Sequence, residues 1–67
     1  MHFTIWRSKD DQFYWELKAN NNKIIAVSET YTRKAPAEHS IELIQNGAKA
    51  AHVVDCSDGT KYDRDLP

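Results

Sequence analysis

The chain has 67 residues, a formal net charge of −1 and a single cysteine, Cys56. This length allows one domain, and a domain so small buries only about 60% of the surface that its unfolded chain exposes. The balanced charge gives no long-range field for nucleic acid or anionic lipid, and the lone cysteine excludes an internal disulfide. No apolar run is long enough to span a membrane, and residues 1–11 lack the apolar core of a secretory signal, so we expect a cytoplasmic protein.

Three strands joined by short turns are predicted in the first half of the chain. The first covers residues 2–7, and the second covers residues 13–19, whose apolar and polar side chains alternate as in a half-buried antiparallel strand. A third strand over residues 23–27 or 28 follows the asparagines at 20–22. Asparagine tolerates positive φ, so these residues suit a tight chain reversal and favour an antiparallel meander.

The second half of the chain changes to a helical period. Apolar residues recur every three or four positions at Ala37, Ile41, Ile44 and Ala48, which predicts a helix over about 34–46. Thr32 is a candidate N-cap, and Gly47 is the expected residue just past the helix end.

A last short strand is predicted over residues 51–55. The sequence then predicts a turn at Asp58 and Gly59, with one domain over residues 1–58 and a flexible tail over residues 59–67. The expected fold is therefore α+β, with the order β-β-β-α-β and one helix packed on one face of an antiparallel meander sheet. The predicted core is Phe3, Ile5, Phe13, Trp15, Leu17, Ile25, Ala37, Ile41, Ile44 and Val53.

A second sheet face is predicted to carry Trp6 and Tyr14, which are costly to leave in water. Because the chain is small and has neither a disulfide nor a visible metal site, a second copy is the expected source of further buried surface. We therefore predict a homodimer with Trp6, Tyr14 and Val54 at its interface. An unidentified protein partner remains open, and no membrane contact is expected.

The pattern LKA-x-N-x-x-IIA-x-SE-x-Y runs from Leu17 to Tyr31. Together with Phe3-Thr4-Ile5 and Val53-Val54-Asp55, it resembles the YegP-like family of small domains of uncharacterised function. The resemblance implies a β-β-β-α-β unit that occurs singly or as a tandem repeat, and a single unit is expected to pair with itself. It implies no established activity, cofactor or catalytic residue.

Three departures from the family pattern concern glycine. The family often has Gly where this chain has Asp11, Asn22 and Ser40. Asp and Asn tolerate the left-handed conformation, so the turns at the first two positions are expected to keep their geometry. A small side chain at position 40 indicates a close approach of helix to sheet.

Candidate binding residues allow several interpretations. Aromatic side chains beside Arg7 and Lys18 would suit stacking of single-stranded bases, which is the alternative function to a protein-interaction module. Arg33 and Lys34 at the helix start are candidate contacts for an anion.

Metal binding and catalysis are the chemistries that the sequence disfavours. His52 and Asp55 would lie on opposite faces of a strand, so no metal site is predicted. Cys56 is the one candidate nucleophile, but a domain with one helix rarely encloses a cleft. We therefore predict no catalytic residue, no cofactor and no enzyme activity.

Overall fold

A computed structural model of the chain describes residues 1–57. The elements are strands β1 (His2–Arg7), β2 (Phe13–Lys18) and β3 (Ile24–Val27) and helix α1 (Lys34–Gly47), followed by a 3₁₀ turn over Ala48–Ala50. The strands form one antiparallel sheet in the order β1-β2-β3. The predicted α+β fold, a meander with one helix, is confirmed, and the predicted strand bounds lie within one or two residues of those observed.

Two residues in the turns have positive φ angles, as their sequence positions predict. Asp11 has a φ of 60° in the turn between β1 and β2, and Asn22 has a φ of 67° in the turn between β2 and β3. Asx side chains tolerate this left-handed region better than other non-glycine residues. The chain therefore keeps both turns at positions where the YegP-like pattern often has glycine.

A β-bulge interrupts the pairing of β2 with β3. Leu17 pairs with Ala26 and Lys18 pairs with Ile24, so Ile25 is the extra residue on β3. A bulged residue falls out of the alternation that directs side chains to one face. For this reason Ile25 is exposed, and its prediction as a core residue is wrong.

The core lies between α1 and one face of the sheet. Trp15 on β2 and Ala37 on α1 are its two fully buried hydrophobic residues among residues 1–57. The ring of Phe3 packs edge-on against Trp15 with centroids 5.2 Å apart. The other predicted core residues on these elements are half-buried: Phe3, Ile5, Phe13, Leu17, Ile41 and Ile44.

Residues 51–57 contain no strand. The last strand predicted over residues 51–55 is therefore wrong, and the described order is β-β-β-α. Gly47 is the last residue of α1, and its φ of −119° is not the positive φ expected of a glycine just past a helix end; the chain continues as a 3₁₀ turn over Ala48–Ala50. Val53 is 93% exposed where a core position was predicted. The predicted turn at 58–59 and tail at 59–67 lie outside the described residues.

Among residues 1–57, neither α1 nor the short turn after it combines the length and apolar character required to span a bilayer.

Candidate functional site

The side of the sheet away from α1, here called the open face, carries the predicted interface aromatics. Directly paired residues of antiparallel strands share a face. Trp6 pairs with Tyr14, Glu16 with Val27, and Lys18 with Ile24. The structure therefore brings Trp6 and Tyr14 together, as predicted, and adds side chains of β3 to the same surface. The open face consists of His2, Thr4, Trp6, Tyr14, Glu16, Lys18, Ile24 and Val27.

The open face combines exposed apolar side chains with one polar cluster. Trp6, Ile24 and Val27 are 44%, 53% and 57% exposed. The indole Nε1–H of Trp6 donates a hydrogen bond of 3.0 Å to Glu16 Oε1. Lys18 Nζ lies 3.9 Å from the same oxygen. The Glu16 carboxylate thus already has two polar neighbours in its own chain. A protein that covered this face would not have to supply them.

A hydrogen bond that the sequence did not predict connects the opposite face of the sheet to α1. Trp15 Nε1–H donates to Ser40 Oγ at 2.7 Å, and this hydroxyl donates to the carbonyl oxygen of Ala37 at 2.7 Å. Ser40 was expected only to allow a close approach of helix to sheet. Its small side chain also satisfies the one polar atom of a buried indole, which fixes the position of α1.

A second serine completes the backbone pairing where β3 ends. Ser28 N–H donates to the carbonyl oxygen of Trp15, and Trp15 N–H donates to Ser28 Oγ instead of a carbonyl. The same hydroxyl donates to the carbonyl oxygen of Glu29. Ser28 and Glu29 of the sequence signature therefore have a structural role. Their hydrogen bonds allow the backbone to depart from regular pairing with β2 before Tyr31 pairs with Phe13.

The two candidate anion contacts lie at the start of α1 but differ in surroundings. Arg33 is the N-cap residue, with an extended φ of −128° and no side-chain capping bond. The predicted Thr32 cap is therefore wrong, because the helix begins one residue later than that cap requires. Lys34 lines a shallow pocket of about 340 Å³ with Ile5, Trp6, Arg7 and Phe13.

Arg7 is already engaged within this pocket. Its guanidinium carbon lies 4.9 Å from the centroid of the Phe13 ring, and its Nη1 lies 4.0 Å from Asp11 Oδ1. A neighbouring carboxylate competes with any added anion for this cation. The structure thus places Lys34 and Arg7 together but shows no arrangement that selects an anion.

The segment after Ala50 carries the side chains whose types would suit a metal site or a thiol nucleophile. His52, Asp55 and Cys56 are all exposed, and residues 1–57 contain no group of three or more His, Cys, Asp or Glu side chains placed to hold a metal. Asp55 Oδ1 accepts hydrogen bonds from the N–H and hydroxyl of Ser57. These bonds stabilise the carboxylate and lower the pKa of Asp55 below 3.8.

An apolar groove, here called the end groove, lies between the second half of α1 and the start of β1. Its volume is about 580 Å³, which is within the range of small-molecule pockets. Its lining is largely apolar and comprises Met1, His2, Phe3, Leu17, Ile44, Gln45, Ala48 and Lys49. The sequence did not predict this groove, because its lining combines residues 1–3, residue 17 and residues 44–49, which are far apart in the chain.

The outer edge of β1 runs beside the end groove. Ser8 N–H donates to the carbonyl oxygen of Gln12 at 2.7 Å. Because bonded and non-bonded pairs alternate in an antiparallel ladder, the backbone groups of Thr4 and Trp6 point toward β2. The N–H and C=O groups of Phe3 and Ile5 therefore point outward, where a further strand would pair.

Comparison with known proteins places this geometry in a family. A family model described as "Domain of unknown function (DUF1508)" matches residues 8–55. The chain belongs to the DUF1508 family. The DUF1508 chain is 36% identical to UPF0339 protein NMB1088 of Neisseria meningitidis serogroup B over 79% of its length and 95% of that protein. The YegP-like resemblance is thereby confirmed.

Other DUF1508 relatives are about twice as long as this chain. It is 35% identical to UPF0339 protein YegP of Yersinia pestis over 92% of its length but only 55% of the relative. It is 41% identical to UPF0339 protein plu2779 of Photorhabdus laumondii over 73% of its length and 43% of the relative. The chain thus spans about half the length of these two relatives, and none of the three names states an activity.

A solved structure shares the fold. The NMR solution structure of a protein from Haloferax volcanii matches with a TM-score of 0.72 and 30% sequence identity. The match covers 82% of this chain and 93% of that one. The fold is therefore shared with a solved protein of similar size.

Proposed function

We propose that this DUF1508 chain is a cytoplasmic homodimeric module that acts through protein association and not through catalysis. The observation that carries the proposal is the open face, on which Trp6, Ile24 and Val27 all remain about half exposed. Only two hydrophobic residues of the described part are fully buried in a single copy. A second copy on the open face would cover apolar surface that one helix cannot reach.

Covering the exposed apolar side chains of the open face is not by itself enough to hold a stable dimer together. Full burial of a large apolar side chain contributes about 1.5–3 kcal/mol, so covering the exposed half of one contributes about 1 kcal/mol. Three such side chains in each of two copies contribute about 6 kcal/mol, close to the lower end of the roughly 4–15 kcal/mol that association costs. Tyr14 and further contacts at the sheet edge are needed for a stable dimer.

Analytical ultracentrifugation across a concentration series tests the proposal. We expect a dimer, and we expect Trp6→Ala combined with Tyr14→Ala to weaken it at least tenfold, or about 1.4 kcal/mol. Leu43→Ala is the matched control, because Leu43 is an exposed apolar residue on α1, away from the open face. A chain that stays monomeric throughout the series contradicts the homodimer. A double variant that dimerises like the native chain contradicts the choice of face.

Binding of single-stranded nucleic acid is the alternative use of the same aromatics. The carboxylate of Glu16 lies beside Trp6 on this face and disfavours a nearby phosphate backbone. Titration of tryptophan fluorescence with an oligonucleotide over a salt series distinguishes the two functions. We expect no quenching at low salt, and salt-dependent quenching would favour the nucleic-acid function.

A further inference from the structure

We propose that Asn46 and Gly47, at the end of α1, form a site of spontaneous deamidation, where the side-chain amide is converted to a carboxylate without an enzyme. Asn46 is the only asparagine of the chain that a glycine follows. The inference concerns one helix end within a single copy, so it stands or falls independently of the proposed homodimer.

The reaction consumes water and needs no other reagent. The backbone nitrogen of Gly47 attacks Cγ of Asn46, and its proton passes through solvent to the side-chain nitrogen, which leaves as ammonia. The product is a five-membered cyclic imide. Water then opens this ring: cleavage of the bond to Cγ gives aspartate, and cleavage of the bond to the main-chain carbonyl carbon gives isoaspartate.

Glycine at position 47 leaves the attacking nitrogen accessible. Any other residue would place a Cβ beside this nitrogen, whereas glycine has none. The described structure does not otherwise require a glycine here. A Cβ at Gly47 would meet no packed neighbour within 4 Å outside its own part of the helix, and its φ of −119° lies outside the left-handed region. The effect of Gly47 on Asn46 is therefore chemical and not structural.

The attack requires the end of α1 to open. Within a helix the Gly47 N–H bonds to the carbonyl four residues earlier, and Ala48 N–H donates to the carbonyl oxygen of Ile44. However, Gly47 is the last residue of α1, its φ and ψ are −119° and −20°, and a 3₁₀ turn of only three residues follows it. Asn46 and Gly47 are both exposed. Helix ends open locally at little cost, and glycine lowers that cost further.

The asparagines of the turn between β2 and β3 provide an internal contrast. The nitrogen that would attack Asn21 belongs to Asn22, and its N–H donates to the carbonyl oxygen of Ala19 at 2.9 Å. The nitrogen that would attack Asn22 belongs to Lys23, and its N–H donates to Asn21 Oδ1 at 3.1 Å. Both nitrogens also carry a residue with a Cβ. We therefore expect these asparagines to react more slowly than Asn46.

The two products change the end of α1 in different ways. Each adds a negative charge close to the negative end of the helix dipole. Isoaspartate also inserts one carbon atom into the backbone between positions 46 and 47, so α1 and the 3₁₀ turn cannot remain continuous. Since Ala48 and Lys49 line the end groove, isoaspartate is expected to alter the shape of that groove.

Mass spectrometry of tryptic peptides tests the proposal on the full chain. Cleavage after lysine places Asn46 in peptide 35–49 and the three turn asparagines in peptide 19–23. The folded chain is aged in mildly alkaline buffer made with heavy-oxygen water and is then digested in ordinary water. We expect heavy oxygen at residue 46, located by fragmentation, and much less in peptide 19–23. A folded chain that gains none at residue 46 overturns the proposal, even if the chain unfolded in urea gains it.

Two variants separate the chemical effect of glycine from the opening of the helix. Gly47→Ala is expected to lose most of the label at residue 46, and equal labelling of this variant and the native chain would contradict the proposal. Because alanine also strengthens the helix, Gly47→Ala is combined with Ala48→Gly, which restores a glycine to the helix end but not beside Asn46. We expect this double variant to remain poorly labelled. Labelling at the native rate would show that helix opening alone controls the reaction, and would overturn the role of Gly47.

Discussion

Removing the hydroxyl of Ser40 is expected to destabilise the chain more than any other loss of a single oxygen on α1. In the native chain Trp15 Nε1–H donates to Ser40 Oγ at 2.7 Å, and Trp15 is only 6% exposed. Ser40→Ala keeps the shape of the helix but leaves this N–H without its acceptor. A part-buried donor that loses its partner costs about 1–3 kcal/mol.

The net effect includes a small opposing term. Alanine has a better helix propensity than serine by up to about 0.5 kcal/mol, which offsets part of the loss. We therefore expect Ser40→Ala to lower the free energy of unfolding by about 1–2 kcal/mol. For a domain of this size, about 1 kcal/mol corresponds to 4–8 °C in Tm, so the expected fall is about 4–15 °C.

Urea and thermal unfolding followed by tryptophan fluorescence and circular dichroism measure this change. All variants are compared at one protein concentration, because the proposed self-association would contribute to the observed stability. His39→Ala is the control, since this exposed neighbour on α1 should change stability by about 0.5 kcal/mol or less. A cycle with Trp15→Phe isolates the pair, and a coupling energy near zero would refute the reasoning.

Three further predictions concern local features. Ser28→Ala should lower the free energy of unfolding by about 1–3 kcal/mol, because Trp15 N–H loses its acceptor, and denaturant unfolding measures the loss. Asn22→Gly should be more stable than Asn22→Ala by about 1 kcal/mol in the same assay, since position 22 has a φ of 67°, and equal stabilities would contradict this. The hydrogen bonds from Ser57 lower the pKa of Asp55 from its ordinary value of 3.8. The contribution of these bonds to the stability of the folded chain is therefore present above the ordinary pKa and is lost as the pH falls through the lowered value. A carbon-detected NMR titration should show this lower midpoint, and Ser57→Ala should return it toward 3.8, whereas an unchanged midpoint would contradict the assignment.

The sheet was predictable from sequence because its signals are local. Alternation defined β2, and the Asx residues at positions 11 and 22 marked turns whose left-handed φ angles the structure confirms. Both signals depend on residues close together in the chain. The period of Ala37, Ile41 and Ile44 likewise reports the face that a helix turns toward its sheet.

The errors arise where tertiary geometry overrides local preference. The sequence predicts Ile25 as a core residue. The pairing of β2 with β3 creates a bulge, however, and this bulge removes Ile25 from the alternation of side chains between the two faces. Gly47 was expected just past the helix end, but it is the last residue of α1, and a 3₁₀ turn over Ala48–Ala50 follows it. The end groove could not be predicted from the sequence either, since residues far apart in the chain line it.

In the proposed dimer, the polar cluster on the open face limits what the covering surface must contribute. A buried carboxylate without partners would oppose association strongly. Glu16, however, already accepts from Trp6 Nε1–H at 3.0 Å and lies 3.9 Å from Lys18 Nζ. Because these partners belong to the same copy, the covering surface need contribute only apolar contact. Trp6→Phe should therefore weaken the dimer more than its small loss of area predicts, since it removes one partner of Glu16 while retaining an aromatic ring. Sedimentation of Trp6→Phe beside Ile24→Val, which loses area but no hydrogen bond, measures this difference, and equal dimer constants would show that the cluster has no such role.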